Sequence, residues 1–201
     1  VSICRKLLLT LLILGLTVVM ASCSRQGIDP IPGVQSLLPL EEGNQWHYRG
    51  INSEYAQYSE RVLYLEGSRV QVVRENPGTT MVFIYQVEED SIVLVYSQEE
   101  FYSEENILDR ENNTREVILQ GPVAVGTSWQ VGDRHYEIVE TDARVETPAG
   151  QFQNAVKVRS VFTGSEHEII QHYVQNVGMV RSEFISGDSK IISELESYHV
   201  N

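Results

Sequence analysis

Gln151-Phe152-Gln153-Asn154-Ala155-Val156-Lys157-Val158-Arg159-Ser160-Val161-Phe162 is the stretch on which the fold class turns. Read two residues at a time, Phe152, Val156, Val158 and Phe162 fall on one side. Gln151, Gln153, Lys157 and Arg159 fall on the other. A side-chain period of two belongs to a β-strand with one dry and one wet face. Pro148-Ala149-Gly150 ahead of it supplies a turn, and His135–Thr147 before that turn reads as the partner strand.

The same reading extends in both directions. Further strands are predicted at Gln45–Ile51, Tyr55–Leu65, Arg69–Arg74, Thr80–Val87, Ile92–Ser97, Arg115–Leu119, Glu168–Gln175, Met179–Ile185 and Lys190–Tyr198. Glu66-Gly67-Ser68, Asn76-Pro77-Gly78, Glu89-Asp90 and Ser186-Gly187-Asp188 punctuate them. Met81-Val82-Phe83-Ile84-Tyr85 and Ile92-Val93-Leu94-Val95-Tyr96 are apolar on both sides. Such runs predict central strands covered on both faces. No stretch after residue 36 carries a long helical periodicity. The expected fold class is all-β: one antiparallel, strongly curved sheet, half-barrel or barrel-like, made from hairpins and curled to limit its exposed edges.

Two segments interrupt this rhythm. Ser97–Glu116 holds Glu99, Glu100, Glu104, Glu105, Asp109, Glu111 and Glu116 against only Arg110 and Arg115. It reads as a solvated loop or short helix. A calcium site is the sharper alternative, although the spacing matches no EF-hand loop. The second feature is an echo. Pro39-Leu40-Glu41-Glu42-Gly43-Asn44-Gln45-Trp46 and Pro122-Val123-Ala124-Val125-Gly126-Thr127-Ser128-Trp129 repeat proline, aliphatic, glycine and tryptophan at the same spacing. Two similar plugs closing one core, or a duplicated half-domain, would both produce it; poor alignment of the following strands favours plugs.

The N-terminus has a different composition. Arg5-Lys6 precedes an apolar run from Leu7 to Met20, which ends in Ala21-Ser22-Cys23. This is the layout of a secretory leader. The run is shorter than the roughly 20 apolar residues needed to cross a bilayer as a helix. Met20-Ala21-Ser22-Cys23 resembles the lipobox of bacterial lipoproteins, with Met20 where the family usually has Leu. That resemblance implies cleavage before Cys23, lipid attachment (palmitate among the acyl chains) at Cys23, and a lipid-anchored, extracytoplasmic protein at the cell membrane or outer membrane. The expected organisation is a signal peptide over 1–22, an acylated N-terminus and flexible tether over 23–36, and a single β-rich domain over 37–201. An ordinary secretory cut after Ser24 is the competing reading.

Charge and cysteine content narrow the chemistry. The chain is formally −13, and losing Arg5 and Lys6 with the leader would take it to −15. Nucleic acid needs clustered Lys and Arg, so this balance argues against it as a partner. Cys4 would leave with the leader and Cys23 would be acylated, so the body would hold no thiol for a disulfide or a metal. His167-Glu168-Ile169-Ile170-Gln171-His172 has one residue too many between its histidines for a zinc-protease helix, and on a strand the two would face opposite ways. Gly164-Ser165-Glu166-His167 lacks the second glycine of a nucleophile elbow. No phosphate-binding glycine loop is present. The expectation is a protein with no catalytic residues, no cofactor and no metal.

Both tryptophan motifs, Thr147–Val158, and Tyr173 with Val177-Gly178-Met179-Val180-Arg181 together resemble a loose group of uncharacterised bacterial exported lipoproteins. Their outline is similar to the curled half-barrels of the LolA/LolB lipoprotein carriers, which hold acyl chains in a concave face. The resemblance implies a non-enzymatic envelope protein whose partners are the membrane, through its lipid, and an apolar or peptide-like ligand. The alternative is a structural or protein-interaction subunit of an envelope complex, docking through a sheet edge or the tyrosine-bearing strand Tyr55–Tyr64.

Overall fold

The computed structural model describes residues 33–201. The leader, Cys23 and the expected tether up to residue 32 lie outside the described residues. The body opens with a one-turn helix, α1 (Val34–Leu37), and continues as twelve strands. These are β1 (Gln45–Ile51), β2 (Tyr58–Glu66), β3 (Arg69–Glu75), β4 (Thr80–Val87), β5 (Ser91–Gln98), β6 (Glu116–Gln120), β7 (Ser128–Val131), β8 (Arg134–Thr147), β9 (Gly150–Phe162), β10 (Glu168–Val174), β11 (Gly178–Ser186) and β12 (Ser189–His199). All belong to one antiparallel sheet in the order β6-β5-β4-β3-β2-β1-β12-β11-β10-β9-β8-β7.

The expected fold class holds: the chain is all-β, and its one sheet curls into a nearly closed barrel. Bulges between His47 and Tyr48, Val62 and Tyr64, Ile84 and Tyr85, and His172 and Tyr173 add local twist and bend the strands round. The two edge strands, β6 and β7, come together at a seam, where the Trp129 indole Nε1 donates to the Val117 carbonyl at 3.0 Å.

Strand positions follow the sequence pattern closely, with instructive exceptions. β7 was not predicted, because four residues with one buried side chain carry too little periodicity. Tyr55 lies outside β2, in a 3₁₀ turn over Glu54–Ala56. The alternation in β9 breaks at Asn154, whose φ of 55° puts Ala155 and Val156 both into the core. α1 buries Val34 and Leu37, so packing starts one turn ahead of the expected boundary at Leu37.

The echo has a structural meaning. β1–β6 and β7–β12 are two six-stranded meanders, and each motif opens one of them. Gly43 N donates to Val62 O at 3.1 Å, Asn44 N to Glu41 O at 3.1 Å, and Val62 N to Asn44 O at 2.9 Å. In the second half Gly126 N donates to Ile138 O at 2.9 Å, Thr127 N to Ala124 O at 3.1 Å, and Ile138 N to Thr127 O at 2.8 Å. Gly43 and Gly126 take φ of 89° and 92°, where a Cβ is strained. Both tryptophans are buried at the starts of β1 and β7. The echo therefore marks two similarly built halves as well as two plugs. The lengths of β8 and β9, 14 and 13 residues, explain why the strands that follow do not align.

The acidic segment is a loop with its carboxylates exposed, as expected, but three apolar residues tie it to the barrel. It runs without helix across the outer face of β3–β5, burying Phe101, Ile107 and Leu108 against Val73, Val82, Ile84, Val93 and Val95. That strap is why β4 and β5 are apolar on both faces. Gln71, fully buried in β3, holds it in place: its Nε2 donates to Glu105 O and its Oε1 accepts from Ile107 N, both at 2.9 Å. Tyr64 Oη donates to Glu104 O, and Arg69 to Arg110 O and Asn112 Oδ1. Among the described residues no three His, Cys, Asp or Glu side chains gather as metal ligands.

Candidate functional site

One end of the barrel is closed from outside the sheet. Gln35 of α1 donates to Glu88 O and Glu89 O in the β4–β5 turn at 2.8 and 2.6 Å. On the other side Ser36 O accepts from Asn176 N in the β10–β11 turn at 2.7 Å. The tip of the long β8–β9 hairpin reaches β12, where Ala149 N donates to Leu195 O at 3.1 Å. At the opposite end the β1–β2 connection leans over Gly50, where a side chain would meet Ser53 O at 2.6 Å. Ser193 Oγ holds that connection by donating to Ala56 O.

Between these ends lies a cavity of about 320 Å³. Leu38, Ile118 and Met179 give it apolar surface; Tyr58, Glu60, Arg74, Tyr85, Glu116, Arg134, Tyr136, Gln171, Tyr173, Ser182 and Ser193 give it polar surface. Cross-strand pairing explains the grouping, since directly opposed residues share a face. Gln171 opposes Ser182, Ser182 opposes Ser193, and the bulge at His172 brings Tyr173 opposite Met179.

Two guanidinium groups occupy the cavity in matched settings. Arg74 stacks on Tyr58 and Phe83, 4.7 and 5.0 Å from the ring centroids. Arg134 stacks on Tyr136 and Phe162 at 4.7 and 5.1 Å. Their partners differ. Arg74 gives Nε and Nη2 to Glu60 Oε1 at 2.8 and 2.5 Å. Burial works against its charge, but Glu60 and the surrounding tyrosines outweigh that and hold its pKa above the ordinary value. Arg134 instead gives Nε and Nη2 to Ser160 Oγ at 3.0 and 2.8 Å.

The tyrosines are neutral donors. Burial raises the pKa of Tyr58, Tyr85, Tyr173 and Tyr136 above the usual phenol range. Tyr48, stacked on Tyr58 at 4.5 Å, donates to Met179 O. Among the described residues the hydroxyls of Tyr58, Tyr85, Tyr136 and Tyr173 have no protein partner, unlike those of Tyr48, Tyr64 and Tyr96. These hydroxyls open onto the cavity rather than being sealed in the core, so four facing one space offer donors and acceptors to a polar occupant.

The cavity was not legible as a site in the sequence, because its residues come from β2, β3, β4, β6, β8, β10, β11 and β12. The histidines of the zinc-like hexad do not share one strand: His167 is exposed ahead of β10, whereas His172 is buried within it. On the expected docking strand, Tyr58 faces the cavity and Tyr64 holds the strap, leaving Tyr55 exposed in its 3₁₀ turn. Cys23, the one expected attachment residue, lies outside the described residues.

This geometry defines a class: a twelve-stranded antiparallel barrel, capped at one end, with a polar interior cavity. No protein-family model and no curated protein matches the chain. Two solved structures do. A Bacteroides fragilis protein described as exported, with a YmcC-like fold, superposes with a TM-score of 0.51 at 18% identity, over 81% of this chain and 98% of that one. A Parabacteroides distasonis protein described as a lipoprotein gives 0.49 at 19% identity, over 81% and 98%. The first likeness is one of fold. The likeness to LolA/LolB carriers is not shown by these matches, and the sheet closes further round than a half-barrel.

Proposed function

We propose that the chain is a lipid-anchored bacterial envelope protein, held by acyl chains on Cys23, that binds a small polar, peptide-like ligand inside its barrel without transforming it. The carrying observation is the cavity of about 320 Å³ lined by four tyrosines whose hydroxyls have no protein partner among the described residues. Its size lies at the lower end of the roughly 300–1,000 Å³ common for small-molecule sites. Of the two ligand classes expected from the sequence, the polar lining favours the peptide-like one over acyl chains. The leader, and a fold shared with a protein described as exported, are in keeping with an extracytoplasmic location.

Both parts are open to direct test. Expressed with its own leader and labelled with radioactive palmitate, the wild-type chain should carry label and Cys23→Ala should not. Native mass spectrometry of the lipoprotein released in mild detergent should show a small polar adduct. Ser182→Trp, which fills the cavity, should remove it. An adduct-free wild type, or an adduct that survives Ser182→Trp, would overturn the binding role.

A further inference from the structure

The charges in the cavity do not all cancel internally. Glu60 and Arg74 neutralise each other. Arg134 and Glu116 line the same cavity, and among the described residues neither forms an ion pair, with the other or with anything else. Arg134 has spent two N–H donors on Ser160 Oγ and keeps three. Glu116 accepts only a long bond, 3.5 Å, from Thr114 Oγ1. The cavity therefore offers one cation and one anion, set apart.

Their placement follows from the barrel's closure. Glu116 begins β6 and Arg134 begins β8, so they flank the β6–β7 seam that Trp129 spans. Trp129 stacks on Tyr136 at 5.1 Å and 8°. Tyr136 in turn lies in the field of both Arg134 and Glu116. The Arg134 fork is held by Ser160 and by two aromatic rings, so little rotamer freedom would remain to lose on binding.

Resting on the binding reading above, we propose that the ligand is a zwitterion of the amino-acid or short-peptide class, its carboxylate on Arg134 and its ammonium on Glu116. A guanidinium fork matches a carboxylate geometrically. A carboxylate accepts from an ammonium. The neutral tyrosine hydroxyls and Gln171 supply donors and acceptors for the peptide group between them.

Calorimetric titration of the purified lipoprotein with three probes tests this: alanyl-alanine, its N-acetyl derivative, and its C-terminal amide. Alanyl-alanine should bind, and each blocked form should bind about tenfold more weakly or worse, the scale expected for a lost bond between charged groups. Arg134→Gln should bind acid and amide alike, and Glu116→Gln should bind free and acetylated amine alike. Equal affinity of the wild type for all three probes would overturn the zwitterion assignment while leaving the cavity as a binding site. No affinity for any probe would also overturn it. Native mass spectrometry then separates the causes: an adduct lost in Ser182→Trp leaves the binding role intact, and no adduct removes both. The three-probe comparison on the wild type decides whether or not either variant folds.

Discussion

The indole of Trp46 lies against Gly178, donating its Nε1 hydrogen to the Val177 carbonyl at 2.6 Å. A Cβ at position 178 would sit 3.0 Å from that nitrogen, on a backbone whose φ is 105°. Close approach and left-handed backbone thus both demand glycine at the start of β11. Gly178→Ala should cost about 2–4 kcal/mol, combining strain with displacement of a buried ring. Gly67→Ala, at φ 60° with nothing within 4 Å, is the control and should cost about 1 kcal/mol. Urea unfolding followed by tryptophan fluorescence checks both; equal costs would contradict the packing role.

Gln71 secures the strap over β3–β5. Gln71→Leu would leave the Ile107 N–H and Glu105 carbonyl without partners under a buried apolar layer. The expected loss is about 2–3 kcal/mol, the desolvation cost of two unmet backbone groups. Because the strap is held from outside the barrel, it should open first. Limited proteolysis should cut the variant within 99–115 before any barrel strand; simultaneous cleavage elsewhere would count against a separable strap.

The Glu60–Arg74 pair should behave as a partly buried couple. Glu60 is mostly buried, while the Arg74 side chain is 34% exposed. Glu60→Met should cost about 1–3 kcal/mol, because it leaves a partly screened guanidinium among rings without its carboxylate. Glu60→Met with Arg74→Met should cost less than Glu60→Met alone, since no charge is left unmatched. Thermal unfolding of the two variants and the wild type decides it.

Acid should destabilise the protein through His172. Burial first, then Lys157 and Arg181, lowers its pKa from 6.5 to about 4, with Glu183 pulling the other way. Those four groups come from β9, β10 and β11 on the outer face, where His172 opposes both Lys157 and Arg181. The unfolded chain takes a proton on His172 near pH 6.5 and the native one only near pH 4. Stability therefore falls as pH drops through that window, by up to about 3 kcal/mol. Glu183 adds to the trend at lower pH. Burial opposes its charge, but the bond from Lys190 and the nearby Arg181 win, leaving its pKa below the ordinary value. His172→Gln should flatten the slope of unfolding free energy between pH 6.5 and 4; an unchanged slope would refute the assignment.

Most strands were legible because each has its own local signature. β1 and β4 coincide with their predicted limits, and β9 is one residue longer than the alternation that announced it. Phe101, Ile107 and Leu108 show where such reading stops. Their neighbours are acidic, so composition suggests solvent, yet the outer face of β3–β5 is apolar and draws these three side chains onto it. β7 escapes for the opposite reason: its pairing with β8 depends on a partner strand rather than on its own four residues.

Composition and order along the chain were enough to establish an antiparallel β body, its turns, and the two tryptophan motifs that open its halves. These are local properties, carried by a two-residue period and by glycine, proline and bulk hydrophobicity. Which face each bulge turns inward, how far the sheet closes, and that Arg134 and Glu116 meet one cavity depended on the folded chain. Those features arise from contacts between strands far apart in sequence, and no single stretch encodes them.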